Sequence, residues 1–199
     1  MARTTSSSLP RLTCSETAAL ARFLLLAALW LAALPAPALD EVSLESQHMQ
    51  RLDEAAPDFL LRDATGNELR LTALRDHPVI LHFWATWCEP CREELPTLEA
   101  MARHMADSGV ILVAVAIDEE GDAARVRRYA QDLRVTFPVY LAREGTISER
   151  YWSWGVPVTY LINPQGRLVA RALGPRDWAS VSMQTLISQF VAPAPPWTP

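Results

Sequence analysis

Cys88 and Cys91 stand two residues apart in the segment ATWCEPCREELP. Thiols at that spacing can close a disulfide and reopen it. The bridge encloses so few residues that it constrains the unfolded chain little, which favours chemistry over stapling. Before the pair runs an almost continuously apolar segment, Val79 to Ala85 (VILHFWA); after it, Leu95, Leu98, Ala102 and Met105 recur at helical spacing between Glu89 and Asp107. Cys88 therefore falls just beyond a buried strand and Cys91 in the first turn of a helix, with Trp87, Glu89 and Pro90 framing an exposed helix start. Helix N-termini present unpaired N–H groups and partial positive charge, which stabilise a thiolate. Cys88, nearer the helix end, is expected to attack; Cys91, deeper, is expected to resolve the mixed disulfide. A CxxC pair is also half of a zinc site. The histidines are His48, His77, His82 and His104, and only His104 follows the pair, so the two downstream histidines of a finger are missing and no metal and no cofactor beyond the redox-active disulfide is expected.

Several elements must hold this pair in place. Val110 to Ile117 (VILVAVAI) is a second continuous apolar run, so the two runs with the helix between them form a strand–helix–strand unit with strands covered on both faces. Pro96 lies within the helix and should kink it. Phe59-Leu60-Leu61 and Leu69 to Leu71 read as two strands around Gly66-Asn67. Asp122 to Leu133 reads as a helix, Phe137 to Leu141 as a strand and Glu144 to Tyr151 as a short helix. Val158 to Ile162 and Leu168 to Ala172 should form a hairpin around Asn163-Pro164-Gln165-Gly166. Asp177 to Phe190 carries Trp178, Val181, Leu186 and Phe190 on a rough helical stripe.

The flanks read differently. Met1 to Leu20 are polar, and Phe23 to Leu34 (FLLLAALWLAAL) are apolar, followed by Pro35 and Ala36-Pro37-Ala38. A positive lead, a short apolar core and small residues fit a secretory signal over 1–38, or else a membrane anchor; either places the domain in the periplasm. Cys14 precedes the apolar run and falls in that leader. Residues 39–55 read as a linker, 56–191 as one domain, and 192–199 as a disordered proline-rich tail. The net charge of -5, from 18 basic residues that are all arginine and 23 acidic ones, excludes a basic nucleic-acid footprint.

The segment FWATWCEPCREELP resembles the thioredoxin superfamily, and within it the exported TlpA/ResA-like branch of thiol–disulfide oxidoreductases. The AAPDF opening, the FPV segment after an extra helix, and GVPVTYLINPQGRLV extend that resemblance over roughly Ala56 to Phe190. It implies an α/β thioredoxin-like fold, a mixed central sheet flanked by helices, with the extra helix inserted before FPV. It also implies a cis proline at Pro157, packed beside the redox pair. Glu94 matches an acidic position that family members use for proton transfer; a solvated helix acid complementing the dipole is the alternative. His82 lies where thioredoxin has a buried proton-relaying acid, and is either its replacement or a hydrogen-bonded core histidine. Trp152 and Trp154, just before the proline, could line a partner groove or pack in the core.

By the same resemblance the protein is expected to be a monomeric enzyme, a reductase of exported protein disulfides. Apocytochrome c or copper-site proteins would be its clients and a membrane thiol-type donor its electron source. Two alternatives share the scaffold. A copper-delivery protein of the Sco type uses CxxxC and a downstream histidine, whereas here the spacing is two and no histidine follows His104. A peroxiredoxin-type peroxidase needs one attacking cysteine in a different motif.

Overall fold

The computed structural model describes residues 39, 41–63, 66–119, 122–142, 147, 151 and 155–191, all of which fall within one compact unit. Its framework is an eight-stranded mixed sheet. In chain order the strands are β1 (Met49–Ala55), β2 (Leu60–Asp63), β3 (Glu68–Arg70), β4 (Val79–Trp84), β5 (Ile111–Ala116), β6 (Val139–Ala142), β7 (Val158–Ile162) and β8 (Arg167–Leu173). Across the sheet they run β1-β8-β7-β4-β5-β6-β2-β3. The helices are α1 (Glu41–Ser46), α2 (Glu89–His104), α3 (Ala123–Asp132) and α4 (Val181–Val191).

The two continuous apolar runs become β4 and β5, parallel neighbours near the sheet centre. Every residue of β4 is buried, because both faces are covered. Residue alternation splits the core in two. Ile80 and Trp84 face Leu95, Leu98, Leu186 and Ile187 of α2 and α4. Val79, Leu81 and Phe83 face Phe59, Leu71 and Tyr151 on the other side. Each fully buried leucine of α2 contributes about 1.5–3 kcal/mol. The helix runs unbroken through Pro96.

The hairpin β7–β8 closes as the turn residues require. Gly166 takes φ 74°, and its N–H donates to Asn163 O at 2.8 Å. A left-handed residue here favours glycine.

Two readings need correction. Residues 39–55 are not a linker: α1 and β1 occupy them, and β1 pairs antiparallel with β8 at the sheet edge. Its sequence hides this because only Met49 is buried and Leu52 half-buried, and a register shift between Arg51 and Glu54 breaks the alternation. Charged side chains are what an exposed edge needs to avoid pairing with another chain. The C-terminal helix also begins later than its stripe suggested. Ser180 Oγ accepts the Met183 N–H at 3.3 Å, so the turn Asp177–Ser180 precedes α4. Met183, Leu186, Ile187 and Phe190 then face the core, while Val181 is exposed. The expected leader, Trp152, Trp154, Cys14 and the 192–199 tail lie outside the described residues, and so does the helix expected over Glu144 to Tyr151 apart from Ile147 and Tyr151.

Candidate active site

Strand β4 ends at Trp84, and a four-residue turn carries the chain into α2. The Cys88 N–H donates to Ala85 O at 3.2 Å to close that turn. Cys88 is the N-cap of α2, with extended backbone, and Pro90 occupies the first turn, where its missing N–H costs nothing. Cys88 and Cys91 form a disulfide with Cα atoms 5.3 Å apart. The Cys91 backbone N–H donates to Cys88 Sγ at 3.2 Å, so one of the helix's unpaired donors is aimed at the outer sulfur. Charge developing on Cys88 in the reduced state meets that N–H and the positive helix end. Cys88 keeps 5% exposure and Cys91 none, so Cys88 is the more accessible of the two sulfurs. Trp87, at 66% exposure, and the exposed Glu89 and Pro90 rim the approach.

Across from the pair, the Val156–Pro157 peptide is cis, and Val156 O lies 3.5 Å from Cys88 Sγ. Pro157 itself is buried, and its carbonyl accepts the Gly174 N–H at 2.9 Å, which ties this loop to the end of β8.

Behind the disulfide lies a buried polar layer. Glu94 is not a solvated acid: it is 2% exposed, one turn along α2 from Cys91. The Trp178 indole N–H donates to Glu94 Oε1, while Oε2 is buried without a bond. Burial pushes the carboxyl up to about 7, against the opposing pull of the Trp178 bond and of the Arg176 N–H and guanidinium. His82 is fully buried, with Nδ1 2.9 Å from Thr159 Oγ1 on the neighbouring strand β7. Burial pushes its imidazole down to about 3, so it is neutral at physiological pH.

The turn before Cys88 has a support that the sequence reading missed. Asp118, just past β5, has a wholly buried carboxylate. It accepts the Thr86 N–H at 3.0 Å and the Thr86 hydroxyl at 2.5 Å, and Arg125 of α3 completes it at 3.0 Å. A polar residue directly after an apolar parallel strand marks the carboxyl end of the sheet, where sites gather; that was the available signal. Asp118→Ala should cost about 2–3 kcal/mol, because Thr86 and Arg125 lose a buried partner. Urea unfolding measures this, and a loss below about 0.5 kcal/mol would mean the turn is held by other contacts. Arg176 was missed as well. Its guanidinium donates to Leu173 O, Gly174 O and His48 O at 2.7–3.0 Å, knotting the loop after β8 to the chain before β1. Nothing in its sequence context signals that role.

Among the described residues no group of three or more histidine, cysteine, aspartate or glutamate side chains could hold a metal ion. No helix among them is long and apolar enough to cross a membrane.

The chain resembles known proteins over this same region. The model of the AhpC/TSA family matches residues 52–171. Thiol-disulfide oxidoreductase ResA of Bacillus subtilis (strain 168) is 37% identical over 119 residues, 60% of this chain and 65% of that protein. The ResA of Geobacillus thermodenitrificans is 35% identical over 57% of this chain and 64% of its own length. The chain thus spans just under two thirds of these relatives. Among solved structures, a protein from Chlorobium tepidum assigned as a thiol:disulfide interchange protein DsbE superposes with a TM-score of 0.63 at 27% identity, covering 72% of this chain and 99% of its own. A secreted thiol-disulfide isomerase from Corynebacterium glutamicum gives 0.62 at 16% identity, over 72% of this chain and 89% of its own, and speaks for the fold alone. The mixed sheet with flanking helices is the thioredoxin-like fold.

Proposed function

The chain belongs to the AhpC/TSA family, and from that premise we propose that it is a ResA-like thiol–disulfide oxidoreductase that reduces disulfides in exported proteins. The observation that carries this reading is the Cys88–Cys91 bridge at the start of α2, with a backbone N–H on its outer sulfur and the Val156–Pro157 peptide alongside.

Reaction begins from the dithiol. The Cys88 thiolate attacks one sulfur of the client disulfide; a Cys88–client bond forms, the client's own bond breaks, and one client thiolate leaves and takes up a proton. Cys91 then gives its proton to Glu94 and attacks Cys88 Sγ. The Cys88–Cys91 bond forms, the second client thiolate departs, and Glu94 returns the proton to it. The client gains two electrons and two protons, and the pair is left oxidised. A carboxyl pushed up to about 7 suits this exchange, because it can both accept and return a proton near neutral pH.

The short apolar run Phe23 to Leu34 and the small residues after it support export to the periplasm. A membrane thiol-type donor would restore the dithiol. Apocytochrome c and copper-site proteins are the client classes of this reading, and the enzyme works as a monomer. The CxxC spacing and the absence of histidine after His104 support it over copper delivery.

Reduction of insulin disulfides and the midpoint potential of the pair test the reading together. The protein should accelerate insulin reduction, with a potential near thioredoxin's, about -270 mV. A potential near about -120 mV would make it an oxidant instead.

A further inference from the structure

Trp178 belongs neither to the redox pair nor to α4, yet it is wholly buried beside Glu94. Its backbone N–H donates to Thr97 Oγ1 at 3.1 Å, and that hydroxyl lies 2.8 Å from Glu94 O, to which it donates. The tryptophan is therefore pinned to α2 by its main chain, independently of its ring. The indole N–H is spent on Glu94 Oε1. Its ring meets His82 edge to face, with centroids 6.5 Å apart at 83°, and so stands between the two buried titratable groups. Glu94 Oε2 is left without a bond, and Glu94 lies three residues from Cys91 on the same helix face.

We propose that Trp178 is the positioning residue for Glu94: its indole N–H fixes Oε1 and so leaves Oε2 as the oxygen that exchanges a proton with Cys91. This rests on the proton-transfer role given to Glu94 above. The bond favours the anion, so it also limits how far burial raises the carboxyl. The groups facing Glu94 are Arg176 from the β8–α4 loop, which favours the anion; His82 of β4, neutral and behind the indole; and Cys91 on α2 itself.

The test uses Trp178→Phe, which retains the main-chain anchor and an aromatic ring against His82. A second variant places benzothienylalanine at position 178, which has the indole's shape without its N–H. Two readouts are taken on the reduced full chain: the titration of the Glu94 carboxyl by carbon NMR, and the pH profile of mixed-disulfide resolution. In the wild type both should show an inflection near pH 7. In both variants it should move up by about one pH unit in both readouts, as a charge-assisted bond is lost. In Glu94→Gln it should vanish. An inflection that stays in place in the isostere, while Glu94→Gln abolishes it, overturns the positioning role and leaves the reading of Glu94 intact. A wild-type rate profile that survives Glu94→Gln sinks that reading instead, and the proposal with it.

Discussion

Cys91→Ser should turn the protein from an enzyme into a trap. Cys88 retains its place at the N-cap of α2, its 5% exposure and the donor from residue 91, so it still attacks a disulfide. With no second thiol, the Cys88–client bond persists, and mixed disulfides should accumulate while insulin reduction falls to background. Cys88→Ser should lose attack and trapping together. Neither effect should come from unfolding. The bridge closes a loop of four residues, and losing it should cost only about 2 kcal/mol in the chain-entropy account. Non-reducing electrophoresis after exposure to a model disulfide reads the trapped species, and peptide mass after brief alkylation of the reduced wild type reads which thiol is faster. Trapping by Cys88→Ser, or faster labelling of Cys91, would reverse the roles.

The central strands and the redox pair were legible for a plain reason. Continuous apolar runs and a CxxC at a strand–helix junction are local signals, and the bridge needs only the geometry of one helix start. The edges were less legible. Strand β1 is held by pairing with β8 and by contacts such as Arg167 Nε to Asp53 Oδ1 at 2.8 Å, and its own residues carry almost no apolar period. The buried polar layer was legible only in part. Position marked Glu94 and His82 as candidates, but whether each is solvated depends on partners far along the chain. Trp178 lies 84 residues from Glu94, and Thr159 lies 77 from His82. Asp118 reaches back 32 residues to Thr86. Contacts of that span are set by the sheet order, so no window of sequence contains them.

That layer has a consequence for stability, because its two titratable groups are displaced in opposite senses. The native state holds Glu94 protonated and His82 neutral over a range where the unfolded chain holds a carboxylate and an imidazolium. For Glu94 the folded value, about 7, exceeds the ordinary 4.5, so the native state binds the extra proton. Stability from this group is intact below pH 4.5 and declines as pH rises to 7, by about 3 kcal/mol in all. For His82 the folded value, about 3, lies below the ordinary 6.5, so the unfolded state binds the extra proton. Stability from this group is intact above pH 6.5 and declines as pH falls to 3, by about 5 kcal/mol. Between about pH 4.5 and 6.5 the two slopes oppose each other, and this pair should leave the oxidised wild type nearly indifferent to pH. Each substitution should unmask the other group. Glu94→Gln, which retains an acceptor for Trp178, should gain stability steadily as pH rises through that window. His82→Asn, which can still reach the Thr159 hydroxyl, should lose it. The double variant should run parallel to the wild type again. Other carboxylates also weaken the fold in acid. Asp58 and Glu99 are held below the usual range because hydrogen bonds from Thr72 and Arg70, and from Thr136 and Arg103, outweigh the effect of burial. They act alike in all four proteins and cancel in the differences. Urea unfolding of the oxidised forms at half-unit steps from pH 4 to 8 supplies the four curves. Parallel curves would mean that Glu94 and His82 titrate as exposed groups do, and that the dry polar layer behind the disulfide does not hold in solution.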